Sequence, residues 1–225
     1  MRQKKNNYRI ALIHATPVSI DPIRAAFHEE WPDAETINLL DDALAVDLNS
    51  GSFEPDRIKQ RIGALADYGL QTEADGILYT CSAFGQDIES VQERFDIPVL
   101  KPNEAMFEEA LMTGGKIGMI ATFKPSIPSM EKEFYELARN LNKTARINSI
   151  YVDEAMAALA RGDAETHNRL IAEASVVLEG YQVVMLAQFS TSLAREEVEA
   201  QLRCTVLTSP SSAVRKLKRL LSVPV

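Results

Sequence analysis

The sequence predicts an α/β protein of two pseudosymmetric doubly wound lobes, each with a four-stranded parallel sheet flanked by helices. Three observations carry that prediction. The 225-residue chain repeats itself at an offset of 107: Arg9-Ile10-Ala11-Leu12-Ile13 recurs as Lys116-Ile117-Gly118-Met119-Ile120, Gly76-Ile77-Leu78-Tyr79 as Val183-Val184-Met185-Leu186, and Val99-Leu100 as Val206-Leu207. Strand-like runs are nearly all apolar, as parallel strands covered on both faces must be. Helical patterns separate those runs throughout. The first lobe is assigned to residues 1–100 and the second to 101–210, with the closing helix 211–221 packing back on the first.

Each element follows from local chemistry. Tyr8–His14 reads as a buried strand, and Ala15-Thr16-Pro17 as the loop after it. Asp21-Pro22 then opens a helix to about Trp31, Asp serving as N-cap and Pro as first helical residue. Ala34–Leu39 is the second strand. Pro55–Tyr68 is an amphipathic helix with Ile58, Ile62 and Leu65 on one face. Gly76–Thr80 (strand), Gln86–Arg94 (helix) and Pro98–Leu100 (strand) complete the first copy. A helix starting at Pro102-Asn103 ends at Gly114-Gly115. The second copy places strands at Lys116–Ala121, Ala145–Val152, Gln182–Ala187 and Cys204–Leu207. Its helices fall at Met130–Asn140, Glu165–Glu179, Leu193–Leu202 and Ser212–Leu220, the last two capped by Thr191 or Ser192 and by Ser211 or Ser212.

A net charge of -8 argues against nucleic acid as a partner, because phosphate neutralisation needs a basic surface. No apolar run approaches the roughly 18 residues of a spanning helix, so no membrane partner is expected. Met1–Asn7 is polar and Ile10–Ile13 is too short for a signal core, which makes the cytoplasm the expected compartment. Cys81 and Cys204 are then expected to be free thiols. The three histidines, His14, His28 and His167, are scattered, so no metal is expected.

Ligands of such sheets bind at the carboxyl ends of the strands. The loops placed there carry Thr16, Cys81-Ser82-Ala83, Thr122 and Gln188-Phe189-Ser190, and the symmetry predicts an active-site cleft between the lobes. Cys81 ends a strand shortly before a helix, where the local positive potential is expected to lower a thiol below its reference of about 8.5. A small buried hydrophobe is the plain alternative for Cys81, and the expected role of Cys204. Hydroxyls near helix starts serve as caps or as anion ligands. No GxGxxG or GxxxxGK[ST] phosphate cradle occurs, and Asp87 stands where a Cys-x5-Arg phosphatase loop needs arginine. His14, at the end of the first strand, is read as a rim histidine or a proton relay.

With these loops in place the chain resembles the aspartate/glutamate/hydantoin racemase superfamily, including its arylmalonate decarboxylase and maleate isomerase branches. Asp75-Gly76-Ile77-Leu78-Tyr79-Thr80-Cys81-Ser82-Ala83-Phe84-Gly85 carries the resemblance, together with the matching Tyr181-Gln182-Val183-Val184-Met185-Leu186-Ala187-Gln188-Phe189-Ser190 and Val152-Asp153-Glu154-Ala155-Met156. It spans about Arg9 to Leu220. The resemblance implies catalysis without PLP or metal, by two cysteines, one per half, that remove and return a proton at the carbon beside a carboxylate. It implies Cys81 as catalytic, and Thr16, Ser82, Ala83, Thr122, Gln188, Phe189 and Ser190 around a small carboxylic acid. A homodimer is the assembly it implies.

The sequence departs from that pattern at Gln188, which stands where the second cysteine belongs. An amide neither gives nor takes a proton usefully near pH 7, so two-base racemisation lacks a partner. A single thiol suits one protonation event: decarboxylation through an enediolate, or an isomerase or racemase-like step. The arylmalonate decarboxylase branch is the mirror image, keeping the second-half thiol. A non-catalytic small-acid binding or sensor protein on the same fold is the alternative.

Overall fold

The computed structural model describes residues 7–51 and 54–222. Met1–Asn6, most of the polar leading stretch, lie outside the described residues. The chain divides into two compact units: the residues through Pro102 with those from Ala213 onward, and Asn103–Ser212.

The first unit runs β1 (Arg9–His14), α1 (Ile20–Glu30), β2 (Glu35–Leu40), α2 (Ala43–Ser50), α3 (Pro55–Gln71), β3 (Gly76–Tyr79), α4 (Gly85–Gln92) and β4 (Val99–Leu100). Its parallel sheet has the order β2-β1-β3-β4, with Ile10 opposite both Thr36 and Gly76, and Ile77 opposite Val99. Ile10 to His14 and all of β3 are buried, which is why neither central strand alternates polar and apolar residues. Ile58, Ile62 and Ala66 of α3 recur every fourth residue and pack against Ala11, Ile13 and Ile77 of the sheet. Burying each such aliphatic side chain contributes about 1.5–3 kcal/mol.

The second unit runs α5 (Glu104–Thr113), β5 (Ile117–Ala121), α6 (Ile127–Asn140), β6 (Ile147–Tyr151), α7 (Ala155–Ala160), α8 (Ala164–Ser175), β7 (Val183–Leu186), α9 (Arg195–Gln201) and β8 (Thr205–Thr208). Its sheet repeats the topology as β6-β5-β7-β8, again all parallel. Met130, Phe134 and Ala138 form the buried stripe of α6, and Phe134 meets Phe107 of α5 edge-on at 5.7 Å. The last helix, α10 (Ser209–Ser222), starts in this unit, and its residues from Ala213 onward belong to the first. There the Tyr8 hydroxyl donates to the Leu221 carbonyl at 2.7 Å, and Arg215 pairs with Glu30 at 2.5 Å.

Several local expectations are corrected. Asp21 is not an N-cap: α1 begins at Ile20, after a 3-10 turn at Pro17–Ser19 whose cap is Thr16. Thr191 and Ser192 do not cap α9, because a 3-10 turn at Ser190–Ala194 intervenes and both hydroxyls donate back to carbonyls of Gln188 and Phe189. Ser211 and Ser212 lie inside α10 rather than at its cap. The helix expected to reach Glu179 ends at Ser175 and gives way to a 3-10 turn. Helices α2 and α7 were not expected. Among the described residues no helix is long and apolar enough to cross a membrane, and no group of three or more His, Cys, Asp or Glu could hold a metal ion.

Candidate functional site

In the first unit the carboxyl end of the sheet assembles a polar cluster around His14. Its side chain sits at the end of β1, fully buried. Nδ1 lies 2.9 Å from the Ser19 hydroxyl and 2.9 Å from the Thr80 hydroxyl, which are themselves 2.9 Å apart. Nε2 lies 3.0 Å from Oδ1 of Asn38, so the N–H of the neutral ring sits on Nε2 and Nδ1 accepts. Burial pushes the imidazole below its ordinary value, against a smaller opposing pull from Asn38. The Ser19 hydroxyl has one proton, shared between Nδ1 and the Thr16 carbonyl 3.0 Å away, and the Thr16 hydroxyl caps its own turn by accepting from Val18 N–H at 3.4 Å.

Cys81 follows Thr80 directly and stands in extended backbone before the 3-10 turn Ser82–Phe84. The residue is partly exposed, but its sulfur is well enclosed, and burial pushes the thiol up. The N–H of Ala83 offsets part of that rise. This corrects the expectation of a lowered thiol. The α-helix begins only at Gly85, so Cys81 is not at its first turn, and desolvation of the thiolate outweighs one backbone donor. Burial thus favours the protonated thiol of Cys81 over its thiolate. Ser82 is half-buried beside it and Ala83 is exposed.

The second unit treats the corresponding loop differently. Gln188 adopts φ +84°, a left-handed conformation rare for a side chain of this size. Its Oε1 accepts the Thr122 backbone N–H at 3.0 Å and its Nε2 donates to the Ser126 hydroxyl at 2.9 Å. The amide thus clamps the β5 and β7 loops of its own unit. Phe189 and Ser190 are each buried to 3% exposure. Thr122 is equally buried, and its hydroxyl has no hydrogen-bond partner among the described residues.

A model of the family Asp/Glu/Hydantoin racemase matches residues 14–217. The chain belongs to that family. Solved structures of racemases share its fold. The glutamate racemase of Francisella tularensis, in complex with D-glutamate, is 16% identical with a TM-score of 0.71, covering 96% of this chain and 82% of that one. An aspartate racemase homologue from Pyrococcus horikoshii is 18% identical with a TM-score of 0.72 over 96% and 99%. The allantoin racemase of Klebsiella pneumoniae is 16% identical with a TM-score of 0.64 over 96% and 94%. No curated protein matches the chain by sequence.

Within this racemase-family chain, the structure gathers Thr16 and His14 around shared partners at the end of β1, next to the strand that carries Cys81. Sequence reasoning missed Ser19, Asn38, Thr80 and Ser126. The repeat itself held a signal for two of them, since Ser19 and Ser126 occupy the same place in the two copies. Each anchors its unit's loop, Ser19 through His14 and Thr80, Ser126 through Gln188. At the places of His14 and Thr80 the second copy has Ala121 and Ala187, and Gln188 supplies the polar partner instead. Cys204 directly precedes β8 and packs partly against the second unit's core, at the opposite end of that sheet from Gln188.

Proposed function

We propose that this chain is a cofactor-independent enzyme that transfers a proton at the carbon next to a carboxylate or carbonyl, with Cys81 as its acid. The observation that carries the reading is a thiol at the carboxyl end of β3, held protonated by burial, in a chain of the racemase family. The Thr16 and Ser82 hydroxyls would hold the substrate carboxylate, and hydroxyl or amide donors there would stabilise an enediolate as it forms. Gln188 is a loop clamp in this reading rather than a second proton carrier.

In the decarboxylase form of the reaction, the electrons of the C–CO2 bond pass into the enediolate as carbon dioxide leaves. The Cys81 S–H proton then goes to carbon, and the thiolate recovers a proton from solvent. In the exchange or racemase-like form, Cys81 first gives its proton to solvent, a step that burial opposes, and the thiolate then takes the α-proton and returns one. Both routes need one thiol and neither needs Gln188 to ionise. A small-acid binding protein on the same fold is the second reading, favoured by the same raised thiol if Cys81 is inert. Proton NMR in deuterium oxide separates the two, using amino, hydroxy, arylmalonic and hydantoin-type acids with wild type and Cys81→Ala. Loss of an α-proton signal or release of carbon dioxide that vanishes in Cys81→Ala supports the enzyme. Ligand shifts without turnover in both proteins assign the binding role.

A further inference from the structure

We propose that His14 is a positioning residue: its neutral ring, through the Ser19 and Thr80 hydroxyls, fixes the Thr16 turn relative to Cys81. The inference rests on the assignment of Thr16 and Cys81 to substrate chemistry, but its test does not require a substrate. Superficially the cluster is a hydrolase triad, with a hydroxyl, an imidazole and an orienting Asn38. Burial removes that possibility, since Ser19 is 2% and Thr80 4% exposed and no substrate carbonyl reaches either oxygen. What remains is a brace. Ser19 reaches the Thr16 carbonyl at 3.0 Å, while Thr80 is held at its backbone by the Ile13 carbonyl at 3.0 Å and at its hydroxyl by His14 and Ser19. One imidazole therefore ties the end of β1, the turn carrying Thr16 and the residue before Cys81.

The second unit supports the assignment by contrast. Where the histidine and threonine are replaced by Ala121 and Ala187, the thiol is absent too, and the loop is closed by Gln188 on Ser126. The brace accompanies the thiol. Asn38 sets the tautomer: with its carbonyl on Nε2–H, Nδ1 is an acceptor, and one hydroxyl donates to it while accepting from the other.

The test uses the full chain with Cys204→Ser, so that Cys81 is the only thiol, and follows its alkylation by N-ethylmaleimide. Thr80→Val removes the hydroxyl at nearly constant shape, His14→Gln removes the ring, and Thr80→Ser restores the hydroxyl. The brace predicts that Thr80→Val and His14→Gln each change the alkylation rate by about tenfold, because small displacements of a held group have large kinetic effects. Thr80→Ser should return the rate to near that of the parent, with near-parental melting temperatures throughout. Parental alkylation rates in folded Thr80→Val overturn the proposal. So does a failure of Thr80→Ser to restore the rate. A long-range nitrogen–proton NMR spectrum of the unsubstituted protein provides a readout independent of any variant's folding. It should show His14 protonated at Nε2 alone, and a proton resident on Nδ1 overturns the proposal. Loss of every substrate activity with these results intact would count against the proposed function and leave the brace standing.

Discussion

At position 188 the backbone sits at φ +84°, where a side chain bearing a Cβ costs on the order of 1–2 kcal/mol. The amide offsets that cost by satisfying the Thr122 N–H and the Ser126 hydroxyl. Gln188→Ala keeps the strained backbone and loses both bonds, so urea unfolding should show a loss of about 1–2 kcal/mol. Wild-type stability in that variant contradicts the clamp. The two fully buried histidines set an acid limit. His14 and His167 are both held below their ordinary value by burial, so the unfolded chain binds protons first as the pH falls. Their contribution is complete above the unfolded value of 6.5 and is lost as the pH falls through the folded values. Urea midpoints should therefore be lower near pH 5 than near pH 7.5. His167→Gln should narrow that gap, since protonation leaves the unpartnered Nε2 of His167 as a buried N–H with no acceptor among the described residues. A midpoint independent of pH over this range contradicts the assignment. At this scale the sequence pointed to His14 and Cys81 but not to their surroundings. Thr80 and Asn38 reach His14 from other strands, and such contacts between distant residues leave no local signal. The direction of the thiol's shift was hidden for a local reason: the residues after Cys81 form a 3-10 turn, and pattern alone does not separate that from the first turn of an α-helix.

Among the elements, the buried strands were the most legible. Runs such as Ile10–Ile13 and Val183–Leu186 are apolar on both faces, and the structure places them at the centres of their sheets. Helices α3 and α6 were legible from their four-residue apolar spacing, α6 beginning three residues earlier than its pattern indicates. Helix α7 was not, because six residues of Ala, Met and Leu fit any buried segment. Helix α2, ALAVDLNS, shows its apolar residues on several sides, and Val46 and Leu48 remain exposed. The three-way ion cluster of Arg61 with Asp41 and Asp47 ties α2 and the turn before it to α3, another contact between distant residues. In β5 the repeat has exchanged Ala11 for Gly118, and the reason is steric. A Cβ on Gly118 would stand 2.7 Å from Cδ1 and 2.9 Å from Cδ2 of Leu178, which is fully buried. Gly118→Ala should destabilise by about 1–3 kcal/mol through overpacking, seen as a lower urea midpoint at unchanged slope. The double variant Gly118→Ala with Leu178→Val should recover part of the loss. An unchanged midpoint in the single variant contradicts the close approach.

For the whole molecule, one internal repeat makes the topology legible in the amino-acid order: four strands, the same arrangement twice, and a closing helix. Duplication also explains the form of the departure from symmetry. Two copies of one fold are free to diverge at equivalent places, and here one keeps a thiol with a histidine-centred brace while the other keeps an amide clamp. Chemistry that depends on one thiol delivers and removes protons from one carbon face. The direct measurement is enantiomer-resolved mass spectrometry of single-handed acids incubated in deuterium oxide with wild type and Cys81→Ala. Deuterium should enter the α-carbon, or replace a lost carboxylate, with one handedness and only in the presence of Cys81. Deuterium entry at the same rate in Cys81→Ala, or racemisation as fast as exchange, would contradict a single-thiol mechanism.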